Sequence, residues 1–259
     1  MTGDAMTEQI TVQTFGGPTA LIEVGGLRLL TDPTFDAPGD YSVGGTRVLT
    51  KTMPTATTPA DLGWIDAVLL SHDQHPDNLD RAGRAFLADV PLTLTTRGGA
   101  ERLGGTARGL APWEQVELPR PDGGTLTITA APAQHGPDGC EPVTGEVVGF
   151  VLTAADLPTV YVSGDNASLA VVEEIAARVG PVDTAVLFAG AARTVLFDGA
   201  LLTLDSGQAA SAARVLGARR VVPVHFEGWG HFTEGRDALV KAFTAAGLDG
   251  VLDAAFTRK

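Results

Sequence analysis

Apolar residues in this chain fall mostly in short runs broken by glycine, proline and small polar residues, the pattern of buried or half-buried strands. Three such runs open it: Ile10–Phe15, Thr19–Val24 and Leu27–Thr31, with Gly25-Gly26 as a hairpin signal between the last two. Further strands are predicted at Ala67–Ser71, Pro91–Thr95, Gln115–Leu118, Gly124–Ala131, Val147–Thr153, Thr159–Ser163, Thr184–Phe188 and Arg220–Val224. Helices are predicted at Leu79–Leu87, Gly98–Leu103, Ser206–Leu216, Arg236–Ala246 and Leu169–Val179, the last with Leu169, Val172, Ile175 and Ala176 on one face. Phe35 to Pro59 has no period and is expected to be a long loop, a lid or a binding loop. Strands come first, then strands alternating with helices, and no linker or charge run divides them. The expectation is one α/β domain over residues 1–259, with two sheets and outer helices.

Composition narrows the partners. The 259 residues are 44% hydrophobic, ample for a large core, and Gly 32 and Pro 16 imply many turns. Asp+Glu 31 against Lys+Arg 18 gives a net charge of -13, a surface that repels phosphate backbones and anionic membranes and favours a small-molecule substrate over nucleic acid. Cys140 is the lone cysteine, so an intramolecular disulfide and a cysteine zinc finger are both ruled out, and an inert thiol is expected. Met1 to Gln9 is polar, with no apolar signal-peptide core, and the apolar runs are too short for membrane-spanning helices; the reading is cytoplasmic.

The chemistry concentrates at strand ends. Ala67-Val68-Leu69-Leu70 runs directly into Ser71-His72-Asp73-Gln74-His75-Pro76-Asp77-Asn78-Leu79-Asp80, with two imidazoles and three carboxylates in nine residues. Imidazole and carboxylate are the usual ligands of zinc, manganese and iron. His135, Asp165 and His225 also follow β-like runs, and all five histidines, including His231, lie at or near strand ends. That shared placement points to one site at one sheet edge.

With these residues in view, the chain resembles the metallo-β-lactamase-fold hydrolase superfamily, in the broad branch that includes sugar-lactone hydrolases and phospholipase D-like enzymes. The resemblance runs from Gly17-Pro18-Thr19-Ala20-Leu21-Ile22-Glu23 and Leu29-Leu30-Thr31-Asp32-Pro33 through Leu70-Ser71-His72-Asp73 and Gly164-Asp165 to Pro223-Val224-His225. It implies a four-layer αββα sandwich, two mixed sheets flanked by helices, and one or two divalent ions, zinc first, with manganese or iron as alternatives. The family signature His-x-His-x-Asp-His is altered: Gln74 stands in the second histidine's place when read from His72, and Asn78 in the last when read from His75. By the resemblance, His72, His135 and either Gln74 or His75 hold a first metal; Asp77, Asn78 and His225 hold a second; and Asp165 bridges.

Asp32, Asp73 and Asp80 are candidates to orient ligands, with helix capping in solvent an equal reading for Asp80. Asp77 is the candidate to orient or deprotonate water, and His231 to donate a proton or contact an oxyanion. Glu227 is a further candidate to face substrate, whereas Trp229 and Phe232 are expected to pack. The function implied is hydrolysis of a small-molecule ester, lactone, amide or phosphodiester by metal-activated water. The alternative is a non-catalytic or ligand-binding protein on the same fold with a degenerate site. Oxygen or redox chemistry at iron is a weaker third reading.

Overall fold

A computed structural model describes residues 10–257; the polar stretch Met1–Gln9 read above lies outside them. The strands are β1 (Ile10–Thr14), β2 (Ala20–Val24), β3 (Leu27–Thr31), β4 (Gly39–Ser42), β5 (Val48–Lys51), β6 (Ala67–Leu69), β7 (Thr93–Thr96), β8 (Ala107–Leu110), β9 (Gln115–Pro119), β10 (Thr125–Pro132), β11 (Val148–Ala154), β12 (Leu157–Val162), β13 (Thr184–Phe188) and β14 (Arg220–Val224). The helices are α1 (Arg81–Phe86), α2 (Arg97–Leu103), α3 (Glu141–Thr144), α4 (Leu169–Val179), α5 (Ser206–Val215), α6 (Arg236–Ala245) and α7 (Ala254–Thr257). One sheet has the order β1-β2-β3-β6-β7-β8 and the other β14-β13-β12-β11-β10-β9.

Side chains alternate across a strand, so a strand buried on both faces reads as an unbroken apolar run. Leu29, Ala67 and Leu69 point into the core between the sheets, where they meet Ile128, Phe150 and Phe188. Their neighbours Leu30, Val68 and Leu70 point outward onto Phe86 and Leu87. Across the sandwich, Val186 and Phe188 face inward while Ala185 and Leu187 pack outward against Val172, Ile175, Leu239 and Phe243 of α4 and α6. The layers are therefore helix, sheet, sheet, helix, the architecture that the resemblance implied.

Topology then gathers the strand ends. β3, β6, β7 and β8 are parallel neighbours, as are β12, β13 and β14. β10 and β12 both run antiparallel to β11, hence parallel to each other. Asp32, His72, His135, Asp165 and His225 each follow the C-terminal end of one of these strands, the edge where open α/β sheets bind ligands.

The predicted loop at Phe35–Pro59 instead contains the β4–β5 hairpin, turned at Gly44-Gly45. Each of its strands buries a single side chain, Tyr41 or Lys51, so no alternation marks it. β8 was missed for the same reason, only Leu110 being buried, while α3 and α7 are too short to show a period. Among the described residues no helix is long and apolar enough to cross a membrane.

Candidate metal centre

The first half of the site is built where the chain leaves β6. The Leu70 N–H donates to Leu94 O at 2.9 Å, which keeps the backbone in sheet register up to the polar segment. His75 O accepts from both Asn78 N (3.1 Å) and Leu79 N (2.9 Å), a tight turn that carries the chain to the cap of α1. That turn brings His75 Nδ1 to 2.9 Å from His72 Nε2, and His135 Nε2 lies 3.3 Å from the same atom. Nitrogens held about 2.0–2.1 Å from a tetrahedral zinc stand about 3.3 Å apart, so the three atoms have the spacing of a ligand set.

The outer nitrogens of His135 and His72 are committed elsewhere. His135 Nδ1–H donates to Leu202 O at 2.8 Å. Ser71 Oγ–H donates to Asp32 Oδ2 at 2.6 Å, leaving Ser71 Oγ itself to accept from His72 Nδ1–H at 3.0 Å. In both rings the inward Nε2 is thereby left as a lone-pair donor, the tautomer a metal needs. Burial, with the neighbouring His75 and His135, drives His72 well below the usual imidazole range, and burial beside His135 lowers His75 to about 4. Both rings are neutral at pH 7.

Asp77, Asp165 and His225 form a second group, each of them buried. Asp77 Oδ2 lies 3.2 Å from His225 Nε2 and 3.0 Å from His231 Nε2. Asp165 reaches both groups, with Oδ2 3.6 Å from His135 Nε2 and Oδ1 3.5 Å from His225 Nδ1. Burial opposes ionisation of Asp77, yet His231 and His225 together hold its carboxyl well below the usual carboxylate range. His225 shows the converse: burial disfavours its charged form, but Asp165 and Asp77 outweigh burial and raise its pKa.

Four buried polar atoms around this group have no hydrogen-bond partner: Asp77 Oδ1, Asn78 Oδ1, His225 Nδ1 and His231 Nδ1. Orphaned donors and acceptors of this kind are costly unless something binds them, and oxygen and imidazole nitrogen are what a divalent ion takes. The residues fit a metal. The backbone is specialised here too. His225 sits at φ 56° and Asp32 at φ 27°, both left-handed, and His225 N–H donates to Gly17 O at 2.7 Å. Gly190 has no alternative, since a Cβ there would lie 2.3 Å from His225 O.

His75 and His135 of the first group and Asp77 and Asp165 of the second line the floor of a cleft of about 460 Å³, walled by the β4–β5 hairpin and the segment after β13, with His72 and His225 buried beneath it. Comparison with known proteins bears on the family and the fold. Residues 27–226 match the beta-lactamase superfamily domain. The chain belongs to the beta-lactamase superfamily. A metal-dependent hydrolase of Methanosphaerula palustris is 28% identical over 236 residues, covering 88% of this chain and 89% of its own. An uncharacterised Mycobacterium tuberculosis protein is 42% identical over 81 residues, but the match spans 30% of this chain and only 20% of that protein. Among solved structures, a possible metal-dependent hydrolase from Veillonella parvula (TM-score 0.79, 19% identity, 94% of this chain and 96% of the other) shares the fold. So does an isothiocyanate hydrolase from Delia radicum gut bacteria (TM-score 0.77, 23% identity, 93% and 95%). The metallo-β-lactamase fold is thus established, and the relative and one of the neighbours that match over most of their length are named as metal-dependent hydrolases.

Against the superfamily pattern, the two altered positions part ways. Gln74 is exposed on the same cleft, its amide over Gly145, where a Cβ would lie 2.2 Å from its Oε1, whereas His75 is the residue whose ring nitrogen meets those of His72 and His135. Asn78 is buried between the carboxyl groups of Asp32 and Asp165, its Nδ2 donating to Asp32 Oδ2 (3.0 Å) and Asp165 Oδ1 (3.1 Å). Burial pushes Asp32 up to about 7 against the hydrogen bonds from Asn78 and Ser71. Replacing Gln74 by histidine is therefore expected to leave bound metal unchanged, measured as moles of metal per mole of purified protein. A gain of one equivalent would place position 74 in the site instead.

The remaining candidates divide by position. Asp73 pairs with Arg102 at 2.5 Å and Arg84 at 3.4 Å, bracing α1 and α2, and touches neither group. Asp80 does cap α1, accepting from Gly83 N at 2.8 Å, but it is buried rather than solvated and pairs with Lys51 at 3.2 Å. Glu227 lines two other clefts, beside Gly17 and beside Arg236. Trp229 packs on Tyr41, and Phe232 lies 4.5 Å from the His225 ring, as packing residues do. Lys51 and the cleft arginines Arg47 and Arg193 gave no signal in the sequence, being isolated cations in aperiodic stretches.

Proposed function

We propose that this protein is a metal-dependent hydrolase of small-molecule esters, lactones, amides or phosphodiesters. The observation that carries the reading is the convergence of His72 Nε2, His75 Nδ1 and His135 Nε2 beside Asp77, Asp165 and His225 at the base of an open cleft that His75, His135, Asp77 and Asp165 line. His72, His75 and His135 hold one ion, a three-imidazole set suited to zinc. Asp77, Asp165 and His225 hold the second, and their two carboxylates also suit manganese or iron. With a divalent ion in place, these residues would hold a Lewis acid that could lower the pKa of water toward neutrality and polarise the oxygen of the scissile group.

The protein's own groups supply orientation and proton traffic. Asp77 keeps Oδ2 on His225 and His231, which leaves Oδ1 to orient the attacking water or accept its proton. His231, on the cleft wall, returns a proton to the leaving group. Asp32, through Ser71 and Asn78, holds His72 and Asp165 in place. The reading of a degenerate, non-catalytic site drew on Gln74 and Asn78; the contacts of His75 with His72 and His135, and the hydrogen bonds of Asn78 to Asp32 and Asp165, favour a built site over that alternative.

The test combines metal analysis with a substrate panel. Purified protein is expected to carry one or two equivalents of metal and to hydrolyse at least one member of a set of nitrophenyl esters, lactones, amides and phosphodiesters. EDTA should abolish turnover, and zinc or manganese should restore it. A protein with no bound metal and no affinity for added zinc or manganese would sink the reading.

A further inference from the structure

The walls of the cleft differ in charge from the rest of the surface. Acidic residues outnumber basic ones 31 to 18 along the chain, yet apart from Asp77 and Asp165 on the floor the charged residues lining the cleft are Arg47 and Arg193. They come from separate segments, Arg47 from the turn of the β4–β5 hairpin and Arg193 from the stretch after β13. Both are exposed, and neither is in an ion pair among the described residues. Each is tethered to a backbone carbonyl of its own segment, Arg47 Nη2 to Val43 O at 3.2 Å and Arg193 Nη1 to Gly199 O at 2.7 Å. One guanidinium nitrogen is thus fixed while the other donors remain available, a preorganised arrangement for an oxyanion. Between them the rim is aliphatic. Val48, Val143 and Val195 are 53%, 50% and 88% exposed, an unusual amount of apolar surface for β-branched residues to give to water.

We propose that the cleft selects a small amphipathic anion. Its acidic group is held by Arg47 and Arg193, its aliphatic segment lies on Val48, Val143 and Val195, and its hydrolysable bond is placed over the histidine and aspartate groups. This deepens the hydrolytic reading and takes from it only that the cleft is where substrate sits. The volume of about 460 Å³ suits a ligand of small-molecule size. Two cations at the mouth of a cleft in an otherwise acidic protein also focus the field on incoming anions, so association should weaken with added salt.

The probe is 1-octanesulfonate, whose head group is an anion but a poor metal ligand. Binding is followed by calorimetry on both metal-loaded and EDTA-treated protein, so the result stands whether or not the protein turns over any ester. Octanesulfonate is expected to bind more tightly than butanesulfonate and than octyltrimethylammonium. Arg47→Gln and Arg193→Gln should each weaken it by about five- to tenfold, and the double variant more, without change in melting temperature because both side chains are exposed. Val195→Asp should remove the advantage of the longer chain. The proposal is overturned if octanesulfonate does not bind, if the double arginine variant binds it as the native protein does, or if the quaternary ammonium binds better.

Discussion

Replacing Asp165 by alanine lowers turnover of whichever ester or phosphodiester the native protein accepts by about a thousandfold, roughly 4 kcal/mol of transition-state stabilisation. Bound metal falls to at most one equivalent. The expectation comes from the carboxylate's two-sided placement, one oxygen 3.6 Å from His135 Nε2 and the other 3.5 Å from His225 Nδ1. The same oxygen Oδ1 accepts from Asn78 Nδ2, so removing it also takes away one of the acceptors of a buried amide that otherwise keeps only its bonds toward Asp32 and Ser71. Metal counting by plasma mass spectrometry separates loss of ligation from loss of fold, which near-ultraviolet circular dichroism reports. A variant that keeps two equivalents and the native rate would take Asp165 out of the site.

Replacing Lys51 by methionine is expected to destabilise the protein by about 3–5 kcal/mol, the usual cost of leaving one member of a buried ion pair uncompensated. Lys51 and Asp80 are 3% and 2% exposed, and their atoms meet at 3.2 Å. Burial pulls the ammonium below the usual lysine range, while Asp80 works in the opposite direction. Lys51 Nζ also donates to Thr34 O (3.1 Å) and Thr55 Oγ1 (3.2 Å), so methionine empties several acceptors at once. For a chain of this length the melting temperature should fall by about 6–20 °C by calorimetry. Adding Asp80→Asn should recover much of the loss, because asparagine still caps α1 without a buried charge. A single variant within about 1 kcal/mol of native would show that the pair is not the tie it resembles.

Lys51 also illustrates what a sequence hides. It stands in an aperiodic stretch, and its burial depends on a partner 29 residues away and on the chain near Trp229. The Thr52 N–H donates to Gly228 O and the Gly230 N–H to Thr50 O, both at 2.8 Å. Nothing local encodes that. The strands at Leu27–Thr31, Ala67–Leu69 and Thr184–Phe188 were legible because both their faces are buried, and that forces a continuous apolar run. The polar residues at their ends were legible for the same reason, since a histidine that closes such a run needs an explanation. The choice between Gln74 and His75 was not legible. It is made by a turn in which one carbonyl accepts two amide hydrogens, and the letters on either side give no period from which to infer it. Arg47 and Arg193 were hidden by distance, because a cleft wall is assembled from segments far apart in the chain.

The donor groups are shared between the halves of the sandwich. His72, His75 and Asp77 follow a strand of the first sheet, and His135, Asp165 and His225 follow strands of the second. Grafting Ser71–Asp80 onto another scaffold would therefore transfer three donors and no working centre, and a fragment ending before β9 would have the same deficit. What is heritable as a functional unit is the pairing of the two sheets, so this chain cannot be shortened or recombined at the midpoint without discarding the centre altogether.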